Sequence, residues 1–335
     1  LENDLIVIAG AGTIGCYLGG LLQAAGAEVV FLGRARIAAE LAEFGLTLTD
    51  RDGARAHLPG SAIRATTEVD VLARAALVLV TVKSGGTEEI GRALGSHAQP
   101  GTLVVSLQNG VGNVALLRSL AVNQEVVAGM VPFNVVHLGK GCFHRATAGA
   151  LVIESGVPAI AERLRTTGLA VIEHPDMQAV AWGKLLINLN NALNALSGLP
   201  LAQQLAVRAW RRVLADCIDE GLSALSRAGI TPAQAGPLAP RLLPFVMRLP
   251  DWLFRQVARA QLRIDPLARS SMWEDLERGR PTEIDYLQGA IVSLAREVGT
   301  AAPTNARIQA LVHRAESAQR GSPRLDPAAL GSESG

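Results

Sequence analysis

Leu5-Ile6-Val7-Ile8-Ala9-Gly10-Ala11-Gly12-Thr13-Ile14-Gly15 is an apolar run of strand length that passes directly into a Gly-x-Gly-x-x-Gly turn. A buried strand delivering such a turn into a helix is the opening of a dinucleotide-binding βαβ unit. Gly10 permits the tight turn, Gly12 lets the backbone approach a pyrophosphate, and Gly15 lets helix and strand pack closely. The first helical residues, Thr13 and Ile14 with Gly15, offer unpaired N–H groups to an anion.

Residues 5 to 27 carry no charged side chain, a length that could also span a bilayer or serve as a signal peptide. Six glycines in the segment, an acidic upstream flank (Glu2, Asp4) and a second strand beginning at Glu28 argue against both. At the end of that second strand, an NAD enzyme presents Asp or Glu to the ribose 2′-hydroxyl. Here the sequence is Gly33-Arg34-Ala35-Arg36. A guanidinium pairs with a 2′-phosphate that a carboxylate would repel, so the cofactor reads as NADP(H), with Arg34 the main contact and Arg36 a second. The bland alternative is a pair of solvated surface arginines.

Further along, Leu77–Val82 and Leu103–Leu107 read as buried parallel strands ending near Lys83 and Gln108-Asn109. Carboxyl ends of strands border the ligand crevice in open α/β sheets, which makes Lys83 and Asn109 candidate cofactor or substrate contacts. Asn109-Gly110 is equally a turn dipeptide. Short β-like segments at Val127–Val131, Leu151–Glu154 and Ala170–Glu173 complete the sheet, and the pattern then turns helical over 177–197, 202–228, 266–278 and 282–298. The expected architecture is α/β: a Rossmann-type parallel-sheet domain over 1–175, an all-α domain over 176–320, and a Gly/Ser/Pro-rich disordered tail over 321–335.

The chain has 335 residues, a formal charge of +1 and 49% apolar residues, enough for two packed domains and without the basic excess of a nucleic-acid binder. Leu1 in place of methionine reads as a trimmed start. Three cysteines and six scattered histidines lack metal or redox spacing, so a metal-free, cytoplasmic protein is expected. The proline-interrupted apolar stretch 237–262 reads as packing or a dimer contact rather than a membrane element. The long apolar helices allow a homodimer without requiring one.

In the helical half, Lys184, Asn188 and Asn191 fall at i, i+4 and i+7 on one stripe, with leucines supplying apolar faces. Such a lysine is most often merely solvated. Near the C-terminus, Pro281 should break one helix and Thr282 cap the next, placing Glu283 in a first turn where an ionised carboxylate is favoured. Glu274 and Asp275 read as solvated face charges.

Taken in order, Gly10–Gly15, Arg34, Val82-Lys83, Gln108–Gly112, Trp182–Asn188, Ser270-Ser271-Met272 and Thr282–Asp285 resemble the ketopantoate reductases (2-dehydropantoate 2-reductases) over nearly the whole chain. The resemblance implies NADPH-dependent reduction of a 2-keto acid, ketopantoate, to a 2-hydroxy acid in pantothenate biosynthesis. It implies Lys184 as the general acid at the carbonyl oxygen, Glu283 holding Lys184 and the substrate hydroxyl, and Ser271 binding the carboxylate. Asn109 and Asn188 would orient cofactor and substrate. The better-known members place Asn-Pro eight residues after the lysine; here Ala192-Leu193 stands there and Asn191 comes one residue early, a further candidate substrate contact. Met130–Asn134 is bulkier than the threonine-rich run expected in pantothenate enzymes, which bears on the substrate more than on the reaction. Two other readings stay open from sequence: a β-hydroxyacid dehydrogenase, and a non-catalytic NADPH-binding sensor that would need neither Lys184 nor Glu283.

Overall fold

The computed structural model describes residues 4–51, 53–258 and 268–330. The chain divides into two compact units, Leu1–Met177 and Gln178–Gly335.

The first unit is built on an eight-stranded sheet. Its strands are β1 (Ile6–Ala9), β2 (Val29–Leu32), β5 (Arg64–Thr66), β6 (Leu77–Val80), β7 (Leu103–Ser106), β8 (Glu125–Met130), β11 (Leu151–Glu154) and β12 (Val171–His174), in the order β12-β11-β8-β7-β6-β1-β2-β5. All neighbours run parallel except β11 and β8, which are antiparallel. The central strands β1, β2 and β6 are buried at every position, as uninterrupted Val/Ile/Leu runs require when helices cover both faces. Helices α1 (Thr13–Ala24), α2 (Ala35–Phe44), α3 (Thr87–His97), α4 (Asn113–Leu120) and α5 (Pro158–Arg165) flank the sheet.

A second, four-stranded sheet of order β4-β3-β10-β9 joins β3 (Leu46–Asp50) and β4 (Gly53–Leu58) to β9 (Val135–Gly139) and β10 (Cys142–Arg145). It was not expected from sequence. Its strands are short and carry His, Arg and Gly, so they show no long apolar run. Polar pairs hold it: Arg145 and Arg55 reach the buried Asp50 carboxylate at 3.1 and 3.5 Å, and Thr49 pairs with His144 at 2.8 Å.

The second unit is helical: α6 (Met177–Asn188), α7 (Asn190–Ser197), α8 (Leu201–Ala206), α9 (Arg208–Arg227), α10 (Leu243–Arg248), α11 (Asp251–Val257), α12 (Ser271–Glu277), α13 (Gln288–Glu297) and α14 (Pro303–Ala318). The break between α6 and α7 is one residue, Leu189, whose backbone stays helical and whose N–H donates to Leu185. The stretch from Pro240 to Ala258 folds as a short turn plus α10 and α11, burying Val246 and Phe254 while Phe245 and Trp252 stay exposed; residues 259–262 lie outside the described residues. Arg211 is fully buried and ties this region together. Its guanidinium donates to the carbonyls of Leu205, Ala206, Met247 and Leu249 and to Asp251 Oδ1 at 2.8–3.2 Å, and stacks 4.1 Å over Phe254. One side chain thus terminates α8 and α10 and reaches the first residue of α11.

Two expectations need correction here. Residues 321–330 are not a disordered tail: Ser322 Oγ donates to Ala195, the Leu325 N–H donates to Leu196, and Leu330 is buried in a 3-10 turn, Pro327–Leu330. Residues 331–335 lie outside the described residues. The segment 282–298 is not one helix either: a 3-10 turn, Ile284–Tyr286, precedes α13, and Leu287 between them has φ −112°, ψ −90°. Among the described residues no helix is long and apolar enough to cross a membrane.

Candidate active site

In the first unit, the glycine turn is welded to the ends of three strands. The Gly10 and Ala11 N–H groups donate to Leu32 at 2.9 and 3.1 Å, and Thr81 Oγ1 donates to the Gly10 carbonyl at 2.7 Å. Gly10 sits at φ +113°, where a Cβ would collide with the Thr81–Val82 backbone. A Cβ on Gly15 would strike Thr81 Oγ1 at 2.6 Å and Ile8 at 2.8 Å. Gly12 is different: it is exposed, and a Cβ there would meet nothing nearer than 4.0 Å, so open space borders the turn on that side. No side chain caps α1 at Gly12. A cradle of bare backbone with an uncapped helix start fits a pyrophosphate.

Arg34 follows Gly33, whose Cα packs against Ala11 so closely that a Cβ would lie 2.7 Å from the Ala11 methyl. The Arg34 side chain is exposed and has no hydrogen bond or ion pair among the described residues. Arg36, in contrast, pairs with Glu40 at 3.3 Å. The two arginines expected to share a 2′-phosphate are therefore unequal, Arg34 being uncommitted and Arg36 engaged one turn along α2.

Lys83 and Asn109 stand beyond β6 and β7 in a polar network the sequence did not reveal. Ser84 Oγ donates to the Asn109 carbonyl at 2.9 Å, and Asn113 Nδ2 donates to the same carbonyl at 2.6 Å. Thr87 Oγ1 donates to Asn113 Oδ1 at 2.9 Å, and Gln108 Nε2 donates to the Val82 carbonyl at 3.2 Å. Lys83 is exposed, and its carbonyl accepts from Gly86 at 2.8 Å. Only the Asn109-Gly110 dipeptide hinted at such a turn; the rest depends on loops brought together by the sheet.

In the second unit, Lys184 lies on α6 beside Gly183, where a Cβ would collide with the Ala233 carbonyl; the close approach of that loop requires glycine. Lys184 is half-buried. Burial lowers its ammonium from the ordinary 10.5 to about 8, against the attraction of the Glu283 carboxylate, which raises it. Lys184 and Glu283 are thus brought together electrostatically across 99 residues of sequence. The Asn188 and Asn191 amides are half-buried and have no hydrogen-bond partner among the described residues.

Ser271 opens α12 and is exposed. Its neighbour Ser270 does the positioning: it caps α12 by accepting from Trp273 at 3.2 Å, donates to the Asn191 carbonyl at 2.9 Å, and gives its N–H to the buried Asn194 Oδ1 at 2.8 Å. The start of α12 is thereby pinned to α7, which carries Asn191. Asp275 is buried rather than solvated, whereas Glu274 pairs with Arg278 at the surface. Thr282 Oγ1 accepts from Ile284 at 3.2 Å, and Glu283 occupies the cap position of the following 3-10 turn rather than the first turn of an α-helix.

A Rossmann-type sheet with a bare glycine turn and a helical unit holding a lysine of lowered pKa beside a carboxylate define a two-domain oxidoreductase architecture. Comparison with known proteins specifies it further. Residues 6–157 match the family model Ketopantoate reductase PanE/ApbA, and residues 176–316 match Ketopantoate reductase PanE/ApbA C terminal. A 2-dehydropantoate 2-reductase of Mesorhizobium japonicum is 30% identical, covering 92% of this chain and 97% of the relative. One from Halobacterium salinarum is 29% identical over 93% of this chain and 98% of the relative. The crystal structure of a PanE/ApbA family ketopantoate reductase from Ralstonia eutropha JMP134 superposes with a TM-score of 0.80 at 30% identity, covering 94% of this chain and 99% of that one. The chain belongs to the ketopantoate reductase family, oxidoreductases that act on a CH–OH group.

Proposed function

We propose that this protein reduces a 2-keto acid, 2-dehydropantoate foremost, to the 2-hydroxy acid with NADPH, and that Lys184 is the general acid. The observation that carries the reading is a half-buried lysine held near pKa 8 by burial with a carboxylate, Glu283, opposing that fall. A proton donor works best when its pKa lies close to the working pH, which an ordinary lysine does not achieve. The family match favours this over a β-hydroxyacid dehydrogenase, and the Lys184–Glu283 pair favours it over a sensor that only binds nucleotide.

NADPH, when bound, supplies the hydride. The chain's own residues do the rest. Gly10 shapes the turn and Gly12 leaves room beside it, so that the first N–H groups of α1, from Thr13, Ile14 and Gly15, would hold the pyrophosphate, and the Arg34 guanidinium would take the 2′-phosphate. Lys83 and Asn109 orient the cofactor. Lys184 donates a hydrogen bond to the substrate carbonyl oxygen and hands over its proton as negative charge grows there. Glu283 keeps that ammonium charged and accepts from the substrate hydroxyl. Ser271 binds the carboxylate, with the amides of Asn188 and Asn191 orienting the rest of the substrate.

The test is loss of NADPH absorbance with 2-dehydropantoate and a small panel of 2-keto acids. Lys184→Ala should lose about 10² to 10⁴ in turnover while NADPH affinity is kept. An unmodified protein that binds NADPH and turns over no 2-keto acid overturns the reading.

A further inference from the structure

Glu283 is a single residue in a short turn, and the residues on either side of it are tied to one helix, α14. The Thr282 N–H donates to Glu316 Oε1 at 2.7 Å. Asp285 Oδ1 meets His313 Nε2 at 2.8 Å and accepts from Gln309 Nε2 at 2.6 Å. The other ring nitrogen, His313 Nδ1, meets Glu316 Oε2 at 2.9 Å. One imidazole therefore bridges the two carboxylates that grip the turn before and after Glu283.

We infer that His313 is a positioning residue for the proton-donating pair: by bridging Asp285 and Glu316 it fixes the turn from which Glu283 acts on Lys184. The inference rests on Lys184 and Glu283 being that pair. An ionised carboxylate can only accept, so two carboxylates on one ring require both nitrogens to be donors, and the bridging ring is the imidazolium. Asp285 from the turn and Glu316 from its own helix are the charged groups that face it. Burial lowers the ring's pKa, but hydrogen bonds and charge from Glu316 and Asp285 outweigh this and raise it. The helix beneath is itself anchored: Glu220 of α9 accepts from the Thr304 and Asn305 N–H groups at 2.7 and 2.9 Å, and the buried Asn305 amide donates to the Cys217 carbonyl. Loss of the bridge frees the turn, and Glu283 no longer holds one place relative to Lys184.

The chain has only three lysines, Lys83, Lys140 and Lys184, so selective lysine labelling gives a three-signal NMR spectrum in which Lys184 can be titrated directly. Lys184→Met identifies its signal. In His313→Ala the Lys184 midpoint should fall by about half a pH unit or more, because the raising influence of Glu283 weakens. kcat should fall several-fold with the KM for NADPH unchanged, and His313→Gln, which keeps one donor, should lie between. Deleting a nearby positive charge without moving Glu283 would instead raise the midpoint. A midpoint that rises or stays put in folded His313→Ala overturns the inference; if that variant does not fold, the same criterion applies to His313→Gln. The lysine titration reads positioning even if no 2-keto acid is turned over, so this inference and the proposed activity fail separately.

Discussion

Raising the pH through 8 should switch off reduction, and the size of the effect follows from the Lys184 ammonium. With its pKa at about 8, roughly nine-tenths of the ammonium is charged at pH 7 and about one-tenth at pH 9. The rate of 2-keto acid reduction should therefore be flat below pH 7 on this limb and fall about tenfold per pH unit above 8. Glu283→Gln removes the attraction that opposes desolvation, so the limb should move below 8, by about one unit or more for a carboxylate close enough to act directly. The stability effect has the same origin and a defined sign. The folded pKa lies below the unfolded one, so between pH 8 and 10.5 the unfolded chain binds the extra proton. Burying this amine is thus least costly above 10.5, and its cost grows as pH falls through that window. Initial rates of NADPH oxidation from pH 6 to 10, at saturating substrate, give the profile. A limb near 10.5, or one that stays in place in Glu283→Gln, would refute the assignment.

Two further substitutions probe the frame. Arg34→Ala should weaken NADPH binding by about ten- to a hundred-fold, the worth of hydrogen bonds to a charged phosphate, and leave NADH nearly unchanged. Arg36→Ala, already paired with Glu40, should cost NADPH far less. Fluorescence titration with both nucleotides reads the difference, and equal losses for the two would contradict a 2′-phosphate role. Arg211→Met should destabilise by about 3 kcal/mol or more, since it leaves the carbonyls of Leu205, Ala206, Met247 and Leu249 without their buried donor, while Asp251, partly exposed, can turn to solvent. The urea midpoint measures it.

The dinucleotide frame was legible because its strands are buried on both faces: Ile6–Ala9, Val29–Leu32 and Leu77–Val80 are continuous apolar runs that admit little else. The smaller sheet was not, because Leu46–Asp50 alternates and its partners carry charge that finds its counterpart far along the chain, as Arg145 does on Asp50, 95 residues away. The stripe of Lys184, Asn188 and Asn191 showed in helical spacing, whereas the start of α12 at Ser271 did not, the helical pattern running from 266 in the sequence. What spacing could not show was support from a distance. Ser270 bonding to Asn191 and Asn194, and His313 bonding to Asp285, join residues with no local pattern between them. Scattered histidines looked idle by metal-ligand spacing; one of them, His313, bridges Asp285 and Glu316 beside Glu283. Asp275 sits where an amphipathic pattern would leave it solvated, yet it is buried.

The knot of side chains beyond β6 and β7 carries a consequence for any ligand that would bind there. With its carbonyl gripped by both Ser84 and Asn113, Asn109 has surrendered its backbone freedom during folding, so a molecule that meets its amide does not bear that entropic cost on association. Neither gripping residue was a candidate contact in its own right. Removing either hydroxyl or amide should nonetheless be felt as lost affinity, through a loop that has regained the right to wander.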